Sequence, residues 1–242
     1  MIRRASNTDI PNGGCNECLI RIAALKHTYG CDTPFIQFFT DDIGGLLSIM
    51  DGVAILDVSE VSDEWRIFLE MNPDIRTLHC SGTVGCTLME TAHWQGRVGD
   101  VMRYNGIPRE TPLDVCTQPY LPNVHALLEQ HFPGMSTLNY WYPDASHRIR
   151  HGYCHMGCII REDRVVSTAM TVAETPSEAI IGQVATDPAF RQQGMAGTCV
   201  NAVISQCKGK SLYILPIHET AMRLYQKLGF VTCGTWAELD KL

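Results

Sequence analysis

Ile181 to Gly197 reads IGQVATDPAFRQQGMAG. Ile181 to Thr186 carries Ile, Val and Thr and predicts a short strand, which Asp187-Pro188 stops. Arg191-Gln192-Gln193-Gly194-Met195-Ala196 predicts a turn, with Gly194 where the backbone must bend or approach a ligand closely. Beyond it, Ala196, Cys199, Val200, Val203, Ile204 and Cys207 recur at helical spacing, the buried face of an amphipathic helix that Gly209 ends. Strand, tight turn and helix N-terminus in that order offer unpaired N–H groups and a positive dipole end, which bind phosphate.

Outward from that junction, a strand is expected at Ser211–Leu215, then a short helix at Thr220–Leu228 with Gly229 as its C-cap. Val231–Glu238 closes as a strand. Upstream, Pro122–His131 predicts a helix that Pro133 stops. Tyr140-Trp141-Tyr142-Pro143 is an aromatic patch, followed by a short basic helix at Ala145–Arg150. Strands are expected at Tyr153–Ile160 and Val165–Val172, with Arg161-Glu162-Asp163-Arg164 as the turn. Before all of this lie a helix at Glu17–Thr28, a strand at Phe35–Thr40, and two runs, Leu46–Met50 and Val53–Val58, joined by Asp51-Gly52, a strong hairpin signal. Ser62 is placed to cap a helix at Asp63–Met71. Ile75–Cys80 is a strand, Ser81–Gly85 a loop, Cys86–Trp94 a helix and Val98–Tyr104 a strand. Asn105–Pro112, with two prolines and a glycine, is the expected boundary, giving domains 1–112 and 113–242.

The chain has 242 residues, enough for one large or two ordinary domains, with 45% hydrophobic residues. Its net charge of −7 disfavours a nucleic-acid partner. No run is apolar enough to cross a membrane, and the arginines of MIRRASNTDIPNGG have no apolar stretch behind them, so no membrane or secretory signal is expected. Eleven cysteines, mostly inside apolar runs, suggest reduced thiols and a cytoplasmic location. Cys15 and Cys18 form a C-x-x-C pair that could begin a zinc site with His27 or Cys31, but no second pair completes the spacing. His151, Cys154, His155 and Cys158 fall on one expected strand, whose alternation keeps them from converging on one metal.

Arg191 to Ala196 resembles the R/Q-x-x-G-x-G/A signature of the GNAT superfamily of N-acetyltransferases. Ala221-Met222-Arg223-Leu224-Tyr225-Gln226-Lys227-Leu228-Gly229-Phe230 is similar to that family's second signature, A-x-x-L-Y-x-x-x-G-F. The resemblance covers roughly residues 120–242. It implies an α/β (α+β) fold with a mixed, mostly antiparallel sheet flanked by helices, whose middle strands splay where acetyl-CoA enters. It implies pairing of the pantetheine arm with Val184, Ala185 and Thr186. Arg191 and Gln192 belong to the turn, and the backbone of Gln193, Gly194, Met195, Ala196 and Gly197, with the Thr198 hydroxyl, would hold the pyrophosphate.

The activity implied is direct transfer of an acetyl group to a primary amine of a small molecule or peptide in a ternary complex, without a metal. Tyr225 stands where the family has the tyrosine that protonates the departing thiolate; the bland alternative is packing. Two positions depart from the family. His218 replaces a frequent asparagine and could contact the coenzyme, act as a base, or cap the last helix, with contact and capping ranked above catalysis. Ile180 occupies the place of the glutamate base in histone-type members, leaving Glu178, Glu174 or water near Gln183 as substitutes. A non-catalytic acyl-CoA-binding regulatory protein therefore stays open. The order of elements in the first part resembles a reduced half of the same fold, with Gly82-Thr83-Val84-Gly85 as a faint echo of the glycine turn. That part reads as a degenerate acetyltransferase-like domain, which could shape the acceptor pocket, pack, or mediate a homodimer.

Overall fold

The structure is a computed structural model that describes residues 1–107 and 114–242. The chain forms two compact units. One comprises Met1–Met102, Leu215–Ile217 and Thr232–Leu242, the other Arg103–Ile214 and His218–Val231. The expected boundary at 112/113 lies among residues outside those described. The units also divide the chain differently from that reading: the last strand packs with the first unit, because it pairs antiparallel with a strand there, Trp236 opposite Ser81 through Asp240 opposite Thr77.

In the first unit the order is β1 (Arg3–Arg4), α1 (Glu17–Tyr29), β2 (Ile36–Thr40), β3 (Leu46–Met50), β4 (Val53–Asp57), α2 (Asp63–Met71), β5 (Thr77–Ser81), α3 (Gly82–Met89) and β6 (Trp94–Tyr104). The strands lie β1-β2-β3-β4-β5-β11-β6, where β11 is Phe230–Lys241. The β3–β4 hairpin turns as its sequence demands: Asp51 and Gly52 have φ of 49° and 79°, the two left-handed residues of a tight hairpin turn. Ser62 accepts from the Trp65 N–H at 3.2 Å and starts α2. Trp65, Leu69, Leu78, Leu88 and Trp94 share one core, while α1 buries Cys18 and Ile22 with Ile36 and Phe38 in another.

Ser81–Gly85, expected as a loop, instead opens α3. Ser81 caps it through Val84 N–H at 3.4 Å. A Cβ at Gly82 or Gly85 would overlap Thr235 or Ala237, so these glycines bring a helix down onto β11. They serve close packing, which sequence alone does not distinguish from a flexible turn.

In the second unit α4 (Leu121–Glu129) and α5 (Leu138–Arg150) precede β7 (Met156–Arg161), β8 (Arg164–Glu174) and β9 (Glu178–Thr186). Then come α6 (Met195–Gln206), β10 (Ser211–Ile214) and α7 (Glu219–Leu228), with strand order β10-β9-β8-β7. The aromatic patch and the short basic helix are one helix, α5. Trp141 and Ala145, four residues apart, both bury with Val124 and Leu128 of α4, and this packing holds the helix together through Pro143. α6 packs closely on β7 at Gly157, where a Cβ would lie 3.0 Å from the Cys199 carbonyl oxygen and the Ala202 Cβ. Each unit is thus a mostly antiparallel mixed sheet flanked by helices.

Candidate active site

β9 pairs antiparallel with β8, but its parallel pairing with β10 runs only from Glu178–Ser211 to Ile181–Ile214. Past Ile181 that edge has no partner strand among the described residues. The register with β8 shifts at the same place. Gly182 pairs with Met170 and Ala185 with Thr168, so Gln183 and Val184 together oppose Ala169. This is a β-bulge, and Gln183 takes a φ of 47° to make it. A bulge re-aims backbone groups, and this one lies in the β8 ladder along the stretch of β9 whose other edge is open. The end of the strand is fixed by Ser167, whose hydroxyl lies 2.8 Å from the Thr186 hydroxyl and donates to the Ala185 carbonyl at 3.2 Å.

The turn that follows is built from within. Asp187 accepts from the Ala189 N–H at 2.9 Å, and Arg191 Nε donates back to the Thr186 carbonyl at 3.2 Å. Gln192 and Gly194 have φ of 61° and 79°. Gly194 is the N-cap of α6, no side chain caps the helix, and its first turn holds no acid. The N–H groups of Met195, Ala196 and Gly197 are therefore the orphan donors of a helix start, at the positive end of its dipole. Thr198 is turned inward: its N–H and its hydroxyl both donate to the Gly194 carbonyl, at 3.1 Å and 3.2 Å.

The two sequence motifs meet at Gly197. A Cβ there would sit 3.5 Å from Leu224 and 3.6 Å from Leu228, so α7 packs on the first turn of α6. Tyr225, between those leucines in sequence, is 5% exposed and lies 6.0 Å from the Phe230 ring. Burial pushes its phenol well above the ordinary tyrosine range, which keeps it protonated. Gly229 closes α7 with a φ of 103°.

The remaining sequence candidates separate. His218 is the N-cap of α7 but makes no side-chain cap bond, so the expected capping role is absent. Glu178 starts β9, about 20 Å along the strand from Val184 at the usual rise per residue. Its carboxylate accepts from the Thr175 hydroxyl at 2.5 Å. Glu174 pairs with Ala179 at that same end and is held by His155, Thr171 and Lys210. Ile180 is buried. Cys18 is buried and donates to Glu17 at 3.1 Å while Cys15 is exposed, so the C-x-x-C pair does not converge. Sequence reading did not find the bulge at Gln183-Val184; a two-versus-one register is a property of two strands, and neither one displays it alone.

Residues 144–238 match a family model described as GNAT acetyltransferase. Solved structures agree in fold. A GNAT-family acetyltransferase structure from Novosphingobium aromaticivorans is 19% identical, over 81% of this chain and 88% of that one, with a TM-score of 0.59. A GCN5-related N-acetyltransferase from Sphaerobacter thermophilus is 15% identical, covering 100% of this chain and 95% of its own, at a TM-score of 0.59. A tandem GNAT protein from the clavulanic acid biosynthesis pathway is 11% identical over 94% of this chain and 89% of its own, at 0.60. No curated protein sequence matches the chain. The resemblance carried by Arg191–Ala196 and Ala221–Phe230 thus holds for the C-terminal half, which is GNAT-like in sequence and in fold.

Proposed function

We propose that the protein transfers an acetyl group from acetyl-CoA to a primary amine of a small molecule or peptide, by direct attack in a ternary complex. One observation carries this reading: β9, bulged against β8 and unpaired on its other edge past Ile181, leads through the turn 187–194 to the uncapped N-terminus of α6. An extended chain of amides ending in a pyrophosphate suits such a surface. The pantetheine arm pairs with Val184, Ala185 and Thr186 as an added strand, and the pyrophosphate rests on the N–H groups of Gln193 to Gly197. The Val184 N–H at the bulge is the donor for the thioester oxygen as it becomes an oxyanion.

The amine nitrogen bonds to the thioester carbon, the tetrahedral intermediate collapses, and the C–S bond breaks. The sulfur takes a proton from Tyr225, whose burial keeps that proton in place at neutral pH. The amine's surplus proton leaves to water, and the Tyr225 phenolate takes a proton back from solvent, which closes the cycle. The distance of Glu178 and Glu174 from the bulge argues against either as base, so the amine enters neutral and positioning supplies the rest. The acidic chain, at −7, favours an amine over a nucleic acid. Among the described residues no helix is long and apolar enough to cross a membrane. Eleven free cysteines support a reducing, cytoplasmic setting.

A second reading, a non-catalytic acyl-CoA-binding regulator, draws on Ile180 in the place of a base. Calorimetry with acetyl-CoA tests the first premise of both; no binding at near-millimolar coenzyme removes both. Thiol release with any member of an amine and peptide panel then selects the enzyme. We also read the first unit as a degenerate acetyltransferase-like domain, supported by the similarity to a tandem GNAT protein over 94% of this chain.

A further inference from the structure

At the end of the second unit's sheet remote from the bulge, three side chains from distant parts of the sequence converge. His155 precedes β7, Glu174 ends β8, and Cys207 is the C-cap of α6. One ligand atom from each lies within 4.8 Å of the others. We propose that His155, Glu174 and Cys207 form a binding site for a zinc-type divalent cation, one that ties the end of α6 to β7 and β8.

The donor set is imidazole nitrogen, carboxylate oxygen and thiol sulfur, the borderline combination that zinc accepts in tetrahedral sites. For the imidazole and the carboxylate the spacing is close to what a metal requires. His155 Nδ1 lies 3.0 Å from the Glu174 carboxylate. Two ligands of a tetrahedral zinc with bonds of about 2.05 Å stand about 3.3 Å apart, so the pair must open by only a few tenths of an ångström. The carboxylate is braced by a second layer: Thr171 Oγ1 donates to it at 2.9 Å and accepts from the His155 N–H at 2.9 Å. A cation is already held here. Lys210 Nζ donates to Glu174 Oε1 at 2.7 Å and to the Thr175 carbonyl at 2.6 Å, which shows that the site's potential favours positive charge.

The backbone of Cys207 bonds to Val203 and Lys210, whereas its thiol has no hydrogen-bond partner among the described residues, and the residue is 2% exposed. A metal is the partner that would use it. A cleft of about 220 Å³ borders the site on the Cys207 side, with Lys208, Lys210 and Arg103 also in its lining. The site is independent of the acetyl-transfer reading.

The test is a titration of the full chain, reduced and treated with chelator, with Co²⁺. The expected result is one equivalent bound, with a thiolate-to-cobalt charge-transfer band and the visible bands of tetrahedral cobalt, all displaced by Zn²⁺. Cys207→Ser should lose the charge-transfer band, and His155→Ala should weaken binding by about 100-fold. Lys210→Met, which removes the competing ammonium and leaves all three ligands, should tighten it. Absence of stoichiometric binding, or a band that survives Cys207→Ser because the metal sits on other cysteines, overturns the proposal. So does a Lys210→Met variant that folds and binds no more tightly than the parent.

Discussion

The junction between β4 and α2 and the junction between β9 and α6 fall at the same step of their units. In each, three antiparallel strands lead through a helix to a strand that returns parallel to the third: β4 with β5, β9 with β10. What differs is the chemistry at the helix start. α2 is closed, with the Ser62 hydroxyl occupying the Trp65 N–H and Asp63 and Glu64 filling its first turn with negative charge. α6 is open, with a left-handed Gly194 in place of a cap and no acid behind it. β3 and β4 pair in even register, whereas β9 bulges at Gln183-Val184. The closed junction is the more stable arrangement for a helix; the open one leaves donors unsatisfied, and that is what a phosphate needs. One fold plan can therefore carry an open helix start in one half and a capped, acidic one in the other.

The largest expected effect is at Tyr225, which belongs to the second unit. Tyr225→Phe keeps the packing on Phe230 and removes the transferable proton. Turnover should fall by about 100-fold or more, with the acetyl-CoA Kd unchanged. Steady-state kinetics and calorimetry on the same preparation separate the two; undiminished turnover would reduce Tyr225 to a packing residue. Because burial raises its pKa, the parent enzyme should show no loss of rate from tyrosine ionisation near the ordinary value of about 10.

A second experiment moves the closed junction's chemistry onto the open one. Met195→Asp with Ala196→Glu gives α6 the acidic first turn of α2. Coenzyme affinity should drop by roughly 30-fold, about 2 kcal/mol, through repulsion of the pyrophosphate. The melting temperature should hold or rise, because acids at a helix start favour the helix. Binding and stability moving in opposite directions is the signature; a parallel loss of both would mean simple damage. Gly194→Ala probes the same turn more gently. A φ of 79° costs alanine about 1–2 kcal/mol, a few degrees of melting temperature, with coenzyme affinity reduced by less than about tenfold.

These junctions also mark what the sequence made legible. Asp51-Gly52, Ser62 and the Cys199–Cys207 face of α6 are local signals with local consequences, and the elements form where they predict. The glycine echo at Gly82–Gly85 misleads because it lies at α3, one helix later than the β4–α2 junction, and its glycines serve contact with β11. The bulge and the meeting of His155, Glu174 and Cys207 depend on register between strands or on residues far apart in the chain. No window of sequence contains them. The last strand's place beside β5 is of the same kind: its own residues predict a strand and are silent about its neighbour.

The smallest effect concerns stability, and it distinguishes the first unit. His79 on β5 faces Glu238 on β11 at 3.6 Å, a geometry that would ordinarily favour imidazolium. Burial opposes this most strongly, and the guanidinium groups of Arg21 and Arg97 add to it, bringing His79 down to about 3. Arg97 also donates to Glu238 at 2.8 Å, which neutralises the carboxylate His79 would need. In the unfolded chain the same imidazole takes up a proton near its ordinary value of about 6.5. A depressed folded pKa means the stabilisation is present above that value and is lost as pH falls from about 6.5 toward 3. Urea midpoints should therefore decline over that window in the parent, and His79→Gln, which cannot ionise, should flatten the decline. An equal slope in the variant would assign the acid sensitivity to carboxylates elsewhere and leave the two units alike in this respect.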